Sequence, residues 1–184
     1  MIIDSKGYWI GIDAKEHHSL DPLLCRYLTN YLKSHSYSVL DLGCGTGEYI
    51  KSFIDHGIKA IGCDGNPDTP TISNGLCSVC DLSTPINFNE FFDVVLSLEV
   101  AEHIPPEYEE IFINNIIKHT KNMVIISWAH EKQGGEGHFN ERNESYVVSL
   151  FESRGFTYDR KESMIIRQYA TLKWFRKNLY VFKL

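Results

Sequence analysis

Long apolar runs are missing from this 184-residue chain. No stretch approaches the roughly 20 residues that a membrane-spanning helix needs. The opening Met1-Ile2-Ile3-Asp4-Ser5-Lys6 lacks the apolar core of a secretory leader. The expectation is a soluble, cytoplasmic protein with no membrane partner. Excess positive charge is missing too: 18 Lys and Arg against 24 Asp and Glu give a net charge of −6. That balance argues against a broad nucleic-acid surface. It leaves room for a local basic patch, and Arg154, Arg160, Lys161, Arg167, Lys173, Arg176 and Lys177 gather in the C-terminal part. Paired metal-binding cysteines are missing as well. Of Cys25, Cys44, Cys63, Cys77 and Cys80, only Cys77 and Cys80 form a C-x-x-C, and no second pair completes a zinc site. A strand would place those two on opposite faces, so reduced, half-buried thiols are expected. There is no internal repeat and no low-complexity segment.

What is present is ordinary globular material, 43% hydrophobic and 23% charged. The length suits a single domain over 1–184, with residues 1–36 as a helical prefix. Asp21-Pro22 reads as a helix cap followed by proline at the first helical position. Leu24, Leu28 and Leu32 then recur at helical spacing. Beyond the prefix, strands and helices alternate. Strands are predicted at 37–42, 58–63, 76–81, 92–98 and 123–128. Helices are predicted at 47–56, 106–119 and 143–154, with a short helix or loop at 67–74. A basic aromatic helix over 168–177 and a last strand over 179–182 follow. This alternation predicts an α/β fold with a parallel sheet and right-handed crossovers.

The most telling stretch is Val39-Leu40-Asp41-Leu42-Gly43-Cys44-Gly45-Thr46-Gly47. It reads as a buried strand breaking into a glycine turn and then a helix. Such a turn lets a ligand approach the backbone, and the helix start offers unpaired N–H groups. The next predicted strand ends in Asp64-Gly65, where a carboxylate can accept both ribose hydroxyls. The third ends in Asp81-Leu82, and the fourth in Ser97-Leu98. Alone, each aspartate would read as a turn former or cap. Three at successive strand ends, joined to one glycine turn, point to a nucleoside. Dinucleotide folds use G-x-G-x-x-G, whereas here an acid precedes G-x-G-x-G.

The Asp41-x-Gly43-x-Gly45-x-Gly47 loop resembles the cofactor loop of the class I S-adenosylmethionine (SAM) methyltransferases. The resemblance implies a single Rossmann-like, doubly wound sheet of seven strands, with a terminal antiparallel strand. It implies SAM as cofactor, with Asp41 accepting from its ammonium and Gly43, Cys44 and Gly45 packing on its methionine part. Asp64 and Gly65 would then hold the ribose, Asp81 and Leu82 the adenine, and Ser97 and Leu98 the cavity wall. The wider string of elements around 44–140 resembles stand-alone methyltransferase-like domains.

Glu99-Val100-Ala101-Glu102-His103 is the second distinctive stretch. On a helical turn its two glutamates and histidine would share a side. The E-x-x-E-H pattern resembles the small-RNA 3′-end 2′-O-methyltransferases and the ubiquinone-pathway O-methyltransferases. With His138 from the loop after the fifth strand, the resemblance implies a magnesium or manganese site of Glu99, Glu102, His103 and His138. Without metal, the same residues would orient the acceptor, or His103 would act as general base. The loop over 127–140 carries Trp128, His130, Gln133 and Asn140 as candidate acceptor contacts. In the prefix, Tyr8, Trp9 or His18 would close over the cofactor, or His17-His18 would simply be solvated at a helix entry. Tyr169, Trp174, Phe175, Tyr180 and Phe182 are either a base-stacking surface or core.

The expected function is methyl transfer from SAM to an oxygen or nitrogen of a small-molecule or sugar acceptor. A metal-assisted 2′-O-methyltransferase of RNA ends and a non-catalytic SAM-binding regulator are the alternatives. A dehydrogenase is a more distant one.

Overall fold

The computed structural model describes residues 2–184. In chain order a two-strand hairpin, β1 (Ile2–Ile3) and β2 (Trp9–Ile10), precedes a 3-10 turn at Ile12–His17 and α1 (Pro22–His35). Then come β3 (Val39–Leu42), α2 (Glu48–Asp55), β4 (Ala60–Asp64), α3 (Thr69–Ile72), β5 (Cys77–Val79) and β6 (Phe92–Ser97). The remainder is α4 (Glu109–His119), β7 (Thr120–Ser127), α5 (Glu144–Glu152), β8 (Thr157–Tyr158), α6 (Arg160–Tyr169), α7 (Phe175–Asn178) and β9 (Leu179–Lys183).

Seven of these strands form one sheet in the order β5-β4-β3-β6-β7-β9-β8. The five from β3 to β7 run parallel, and β9 lies antiparallel between β7 and β8. This is the doubly wound sheet with a terminal antiparallel strand that the sequence implied. Side chains alternate across it. Val39, Val94, Ile125 and Val181 face a layer containing Leu24, Leu28, Leu32, Ile50, Phe53 and Ile166 of α1, α2 and α6. Leu40, Val95, Val124 and Phe182 face Phe112, Ile116, Val147 and Phe151 of α4 and α5. The chain winds outward from β3 to β5 and then returns to β6 on the other side of β3. That reversal opens a crevice at the carboxyl ends of β3 and β6, where ligands of such sheets bind.

Three expectations need correction. The prefix is not purely helical, because 2–10 pair as a hairpin with Ile3 opposite Trp9. The 106–119 helix begins as a 3-10 turn at Pro106–Tyr108. The aromatic helix expected over 168–177 is absent. A helix runs over Arg160–Tyr169 instead, and a single turn follows at Phe175–Asn178. The reason is a cap: the Asp159 side chain accepts the Glu162 N–H and starts the helix eight residues earlier than expected.

Asp21 ties the two ends of this layer together. Its Oδ1 accepts the Leu24 N–H at 3.1 Å, which caps α1, and its Oδ2 accepts the N–H groups of Thr171 and Leu172 at 2.5 and 2.8 Å. Burial pushes this carboxyl up, but the N–H groups of Leu172, Leu24 and Thr171 outweigh it and hold its pKa below the ordinary value. Asp21→Ala removes a cap and strands two N–H groups, so a loss of about 2–4 kcal/mol is expected in urea titration. With the folded pKa below the unfolded one, this stabilisation is present above about pH 4 and is lost as pH falls further. The wild-type acid limb should therefore be steeper than that of Asp21→Asn; parallel limbs would contradict this assignment.

Candidate active site

The turn after β3 is anchored to β4. The N–H groups of Gly43 and Cys44 both donate to the Cys63 carbonyl, at 2.8 and 3.0 Å. The Gly45 N–H donates to Asp64 Oδ2 at 2.9 Å, and the Asn66 N–H to Oδ1 at 3.0 Å. Gly45 has φ +54, and a methyl group there would lie 2.6 Å from the His18 ring, so the turn tolerates no side chain at that point. A cavity of about 440 Å³ opens over this turn. Asp41, Gly43, Cys44 and Gly45 line it from β3 and the turn, and Asp64, Gly65, Asp81, Leu82 and Leu98 from the neighbouring strand ends.

Each carboxylate has a different environment. Asp41 is 3% exposed, and among the described residues none donates a hydrogen bond to its carboxyl group. Burial, with Cys77 and Asp64 nearby, pushes it well above the usual carboxylate range. Such an orphaned acid on a cavity wall fits a cationic ligand group. Asp81 Oδ1 accepts from the Ser83 N–H and hydroxyl, and Oδ2 receives the Lys6 ammonium at 2.6 Å. Burial would raise its pKa, but Lys6 and Ser83 bring it below the ordinary value.

The prefix forms the roof. Lys6, Tyr8, Trp9, His17 and His18 all line the cavity. Gly7, at φ +96, presses so closely on the loop after β6 that a methyl group there would sit 1.8 Å from the His103 carbonyl oxygen. The Tyr8 ring covers Gly65, and the Asn66 side-chain amide donates to the Gly11 carbonyl at 3.0 Å. The solvated reading of His18 is thus corrected: its ring packs against Gly45 of the turn after β3, while His17 keeps an exposed edge. Lys6 carried no signal in the sequence, because its partner lies 75 residues away.

The acceptor side departs further from expectation. Residues 99–104 form turns, not a helix, and Glu99 adopts φ +55. The three-and-four spacing therefore does not bring the motif together. Glu99 Oε1 receives the Ser127 hydroxyl at 2.7 Å and the Asn178 amide at 3.2 Å. Glu102 points into the core, fully buried, with neither carboxyl oxygen hydrogen-bonded. The His103 Nδ1 contacts the Gly137 carbonyl at 3.0 Å, and His138 Nδ1 pairs with Glu141 at 3.0 Å. Among the described residues no three His, Cys, Asp or Glu side chains converge as metal ligands. The expected four-residue magnesium or manganese centre thus finds no support in the donor geometry. Glu99, His103, His138 and Gln133 do line the cavity.

Five other expected contacts lie off it. Ser97 donates its hydroxyl to the Leu42 carbonyl inside the sheet. Trp128 is fully buried, its indole N–H on the Asn140 carbonyl at 2.6 Å, so it is core and not a stacking platform. The Asn140 amide turns to Glu109 at 2.8 Å. His130 contacts the Lys177 carbonyl at 3.3 Å, outside the cavity. Glu102 is the fifth. Of the aromatic group expected either to stack on bases or to form core, Tyr180 and Phe182 are core, whereas Trp174 and the buried Phe175 both line the cavity.

The cavity wall is acidic. Asp41, Glu48, Asp64, Asp81, Glu99 and Glu136 line it, and Lys6 is its one Lys or Arg among the described residues. Burial, reinforced by His138, pushes His103 down to about 4, and burial also lowers His18. Both imidazoles are therefore neutral near pH 7.

Sheet order, glycine turn and strand-end acids define a nucleoside-binding α/β domain of the class I SAM-dependent methyltransferase type. The chain belongs to the methyltransferase domain family, whose profile matches residues 14–161. It is 30% identical over 125 residues to a ubiquinone biosynthesis O-methyltransferase of Rickettsia canadensis, covering 60% of this chain and 52% of that protein. The chain thus spans about half the length of that relative. Among solved structures it resembles magnesium protoporphyrin IX methyltransferase of Synechocystis PCC 6803 with bound S-adenosylhomocysteine (SAH), at TM-score 0.64 and 15% identity, over 86% of this chain and 80% of that one. It also resembles SAM-bound CalS10, an amino pentose methyltransferase of Micromonospora echinaspora, at TM-score 0.66 and 12% identity, over 86% and 89%.

Burial, then the neighbouring Glu99, raises the Glu102 pKa well above its ordinary value and so favours its neutral form. A folded pKa above the unfolded one gives stability that is full below about pH 4 and declines as pH rises toward the folded value. Glu102→Gln removes that decline. Relative to wild type, the variant should therefore gain stability steadily as pH rises from about 4 to about 8 in urea titration. A variant less stable at pH 8 would show that Glu102 is ionised.

Proposed function

We propose that this cavity binds SAM and passes its methyl group to an oxygen or nitrogen of a neutral or cationic small-molecule or sugar acceptor. The observation that carries this reading is the meeting of Asp41, Asp64 and Asp81 on one cavity above a side-chain-free turn. Asp41, buried and unpartnered, is the seat for the cofactor ammonium. The backbone of Gly43, Cys44 and Gly45 carries the methionine portion. Asp64 beside Gly65 takes the ribose hydroxyls, and Asp81 beside Leu82, with Leu98 opposite, frames the adenine. When bound, SAM supplies an electrophilic methyl group on a sulfonium centre.

The chain's own residues orient the acceptor and take its proton. The Gly137 carbonyl accepts from His103 Nδ1–H, which leaves Nε2 as the acceptor nitrogen. A neutral imidazole in that tautomer can receive the proton that the acceptor sheds as its new bond forms. Glu99, fixed through one oxygen by Ser127 and Asn178, has its other oxygen to hold an acceptor hydroxyl or amine. Gln133 and His138 approach from the loop after β7. The acidic wall repels phosphates, which favours a small molecule or sugar over RNA ends. The relatives named for ubiquinone biosynthesis and for an amino pentose are in keeping with such acceptors. A regulator without turnover would need no such cluster of Glu99, His103 and His138.

Asp64→Ala should weaken SAM at least tenfold in calorimetry, about 1.4 kcal/mol, while the far-ultraviolet circular dichroism stays unchanged. Asp64→Asn should also weaken SAM, since an amide gives up one of the two acceptor oxygens. Unchanged affinity in both variants would overturn the assignment. An acceptor panel read as SAH release should favour neutral and cationic compounds over their phosphorylated forms.

A further inference from the structure

Methyl transfer turns a sulfonium cation into a neutral thioether, so a site that turns over has reason to tell the two apart. An electron-rich aromatic face does this, because the ring quadrupole attracts a cation more strongly than it attracts a neutral thioether. Among the cavity-lining residues Trp9 has the placement for that task. It stands on β2 at the junction of the two halves of the cavity. On one side its ring centroid lies 5.0 Å from His18, the residue packed against Gly45 of the cofactor turn. On the other it lies 5.5 Å from His103, edge-on, the residue bonded to the loop after β7. His17 meets it edge-on at 5.9 Å.

The indole is held there from both sides. Lys6 is drawn to Asp81 at 2.6 Å, Tyr8 lies on Gly65, and the Asn66 amide takes the Gly11 carbonyl. Ile3 pairs with Trp9 in the hairpin, and its Cδ1 would lie 2.8 Å from a methyl group placed on Gly137. No protein cation occupies the ring: among the described residues the cation–π contacts are Arg142 on Tyr146 and Arg167 on Tyr180. The ammonium of Lys6, the one Lys or Arg on the cavity wall among the described residues, is engaged by Asp81. The indole therefore lines a cavity walled by carboxylates, and its ring neighbours are the imidazoles of His17, His18 and His103.

We propose that Trp9 is a positioning residue for the sulfonium, and that its ring sets the preference of the site for SAM over SAH. This rests on the SAM reading above. The test compares SAM and SAH affinities by calorimetry for wild type, Trp9→Phe and Trp9→Leu. In Trp9→Leu the SAM-to-SAH affinity ratio should fall about 3- to 30-fold, while SAH affinity stays within about twofold. Trp9→Phe, which keeps a ring, should retain most of the ratio. If both ligands weaken together in Trp9→Leu, the indole is only a roof and the proposal fails. It fails equally if the ratio does not move. Failure of wild type to bind either ligand would instead strike the SAM reading itself.

Discussion

One carboxylate holds the nucleoside end of this molecule in register. Asp64 accepts the Gly45 and Asn66 N–H groups, and so ties the turn after β3 to the end of β4. Both oxygens work on backbone, yet the group still faces the cavity. The turn owes its shape to this bond and to the Cys63 carbonyl, which takes two more N–H groups. With the turn fixed, the parallel register brings Asp41 opposite Gly62, and the neighbouring strand ends deliver Asp64 and Asp81 to the same opening. A sheet twisted out of this register would scatter the three acids over different faces.

Charge divides the labour within the cavity. Acids are cheap at an open strand end, where water and N–H groups support them, and costly where they are sealed. Asp81 shows the first case and Asp41 the second. The neutral His103 and His18 follow from the same rule with the sign reversed, since burial penalises an imidazolium. The outcome is a wall that attracts positive charge while carrying almost none of its own, a condition suited to a cationic cosubstrate.

What the sequence made legible was local and periodic. The continuous apolar runs of β6 and β7, the Asp21 cap and the Asp41-to-Gly47 turn each carry their signal within a few residues. The failures share a cause. The E-x-x-E-H motif was read with helical spacing, but Glu99 at φ +55 breaks that geometry, and nothing adjacent announces a left-handed glutamate. Trp128 and Asn140 were read as loop residues because polar neighbours surround them; their mutual bond pulls both inside. Lys6 meets its partner far along the chain, which no window of sequence displays. The helix over 160–169 is different: Asp159 and Glu162 stand at cap-and-third-residue spacing, a signal that was present and outweighed by the aromatic residues beyond it.

The placement of β9 between β7 and β8 has a consequence for how the protein is made. A ribosome delivers β8 roughly twenty residues before the strand that must separate it from β7. Until residues 179–183 emerge, β8 has no neighbour to pair with, and β7 presents an open edge. Thr171 and Leu172, which receive Asp21, are equally late. The nucleoside half, from β3 to β6, is complete in the nascent chain well before the other half can close. The order of synthesis therefore runs from the ligand crevice toward the antiparallel edge, and through that interval β7 lacks the partner that covers its edge in the finished sheet.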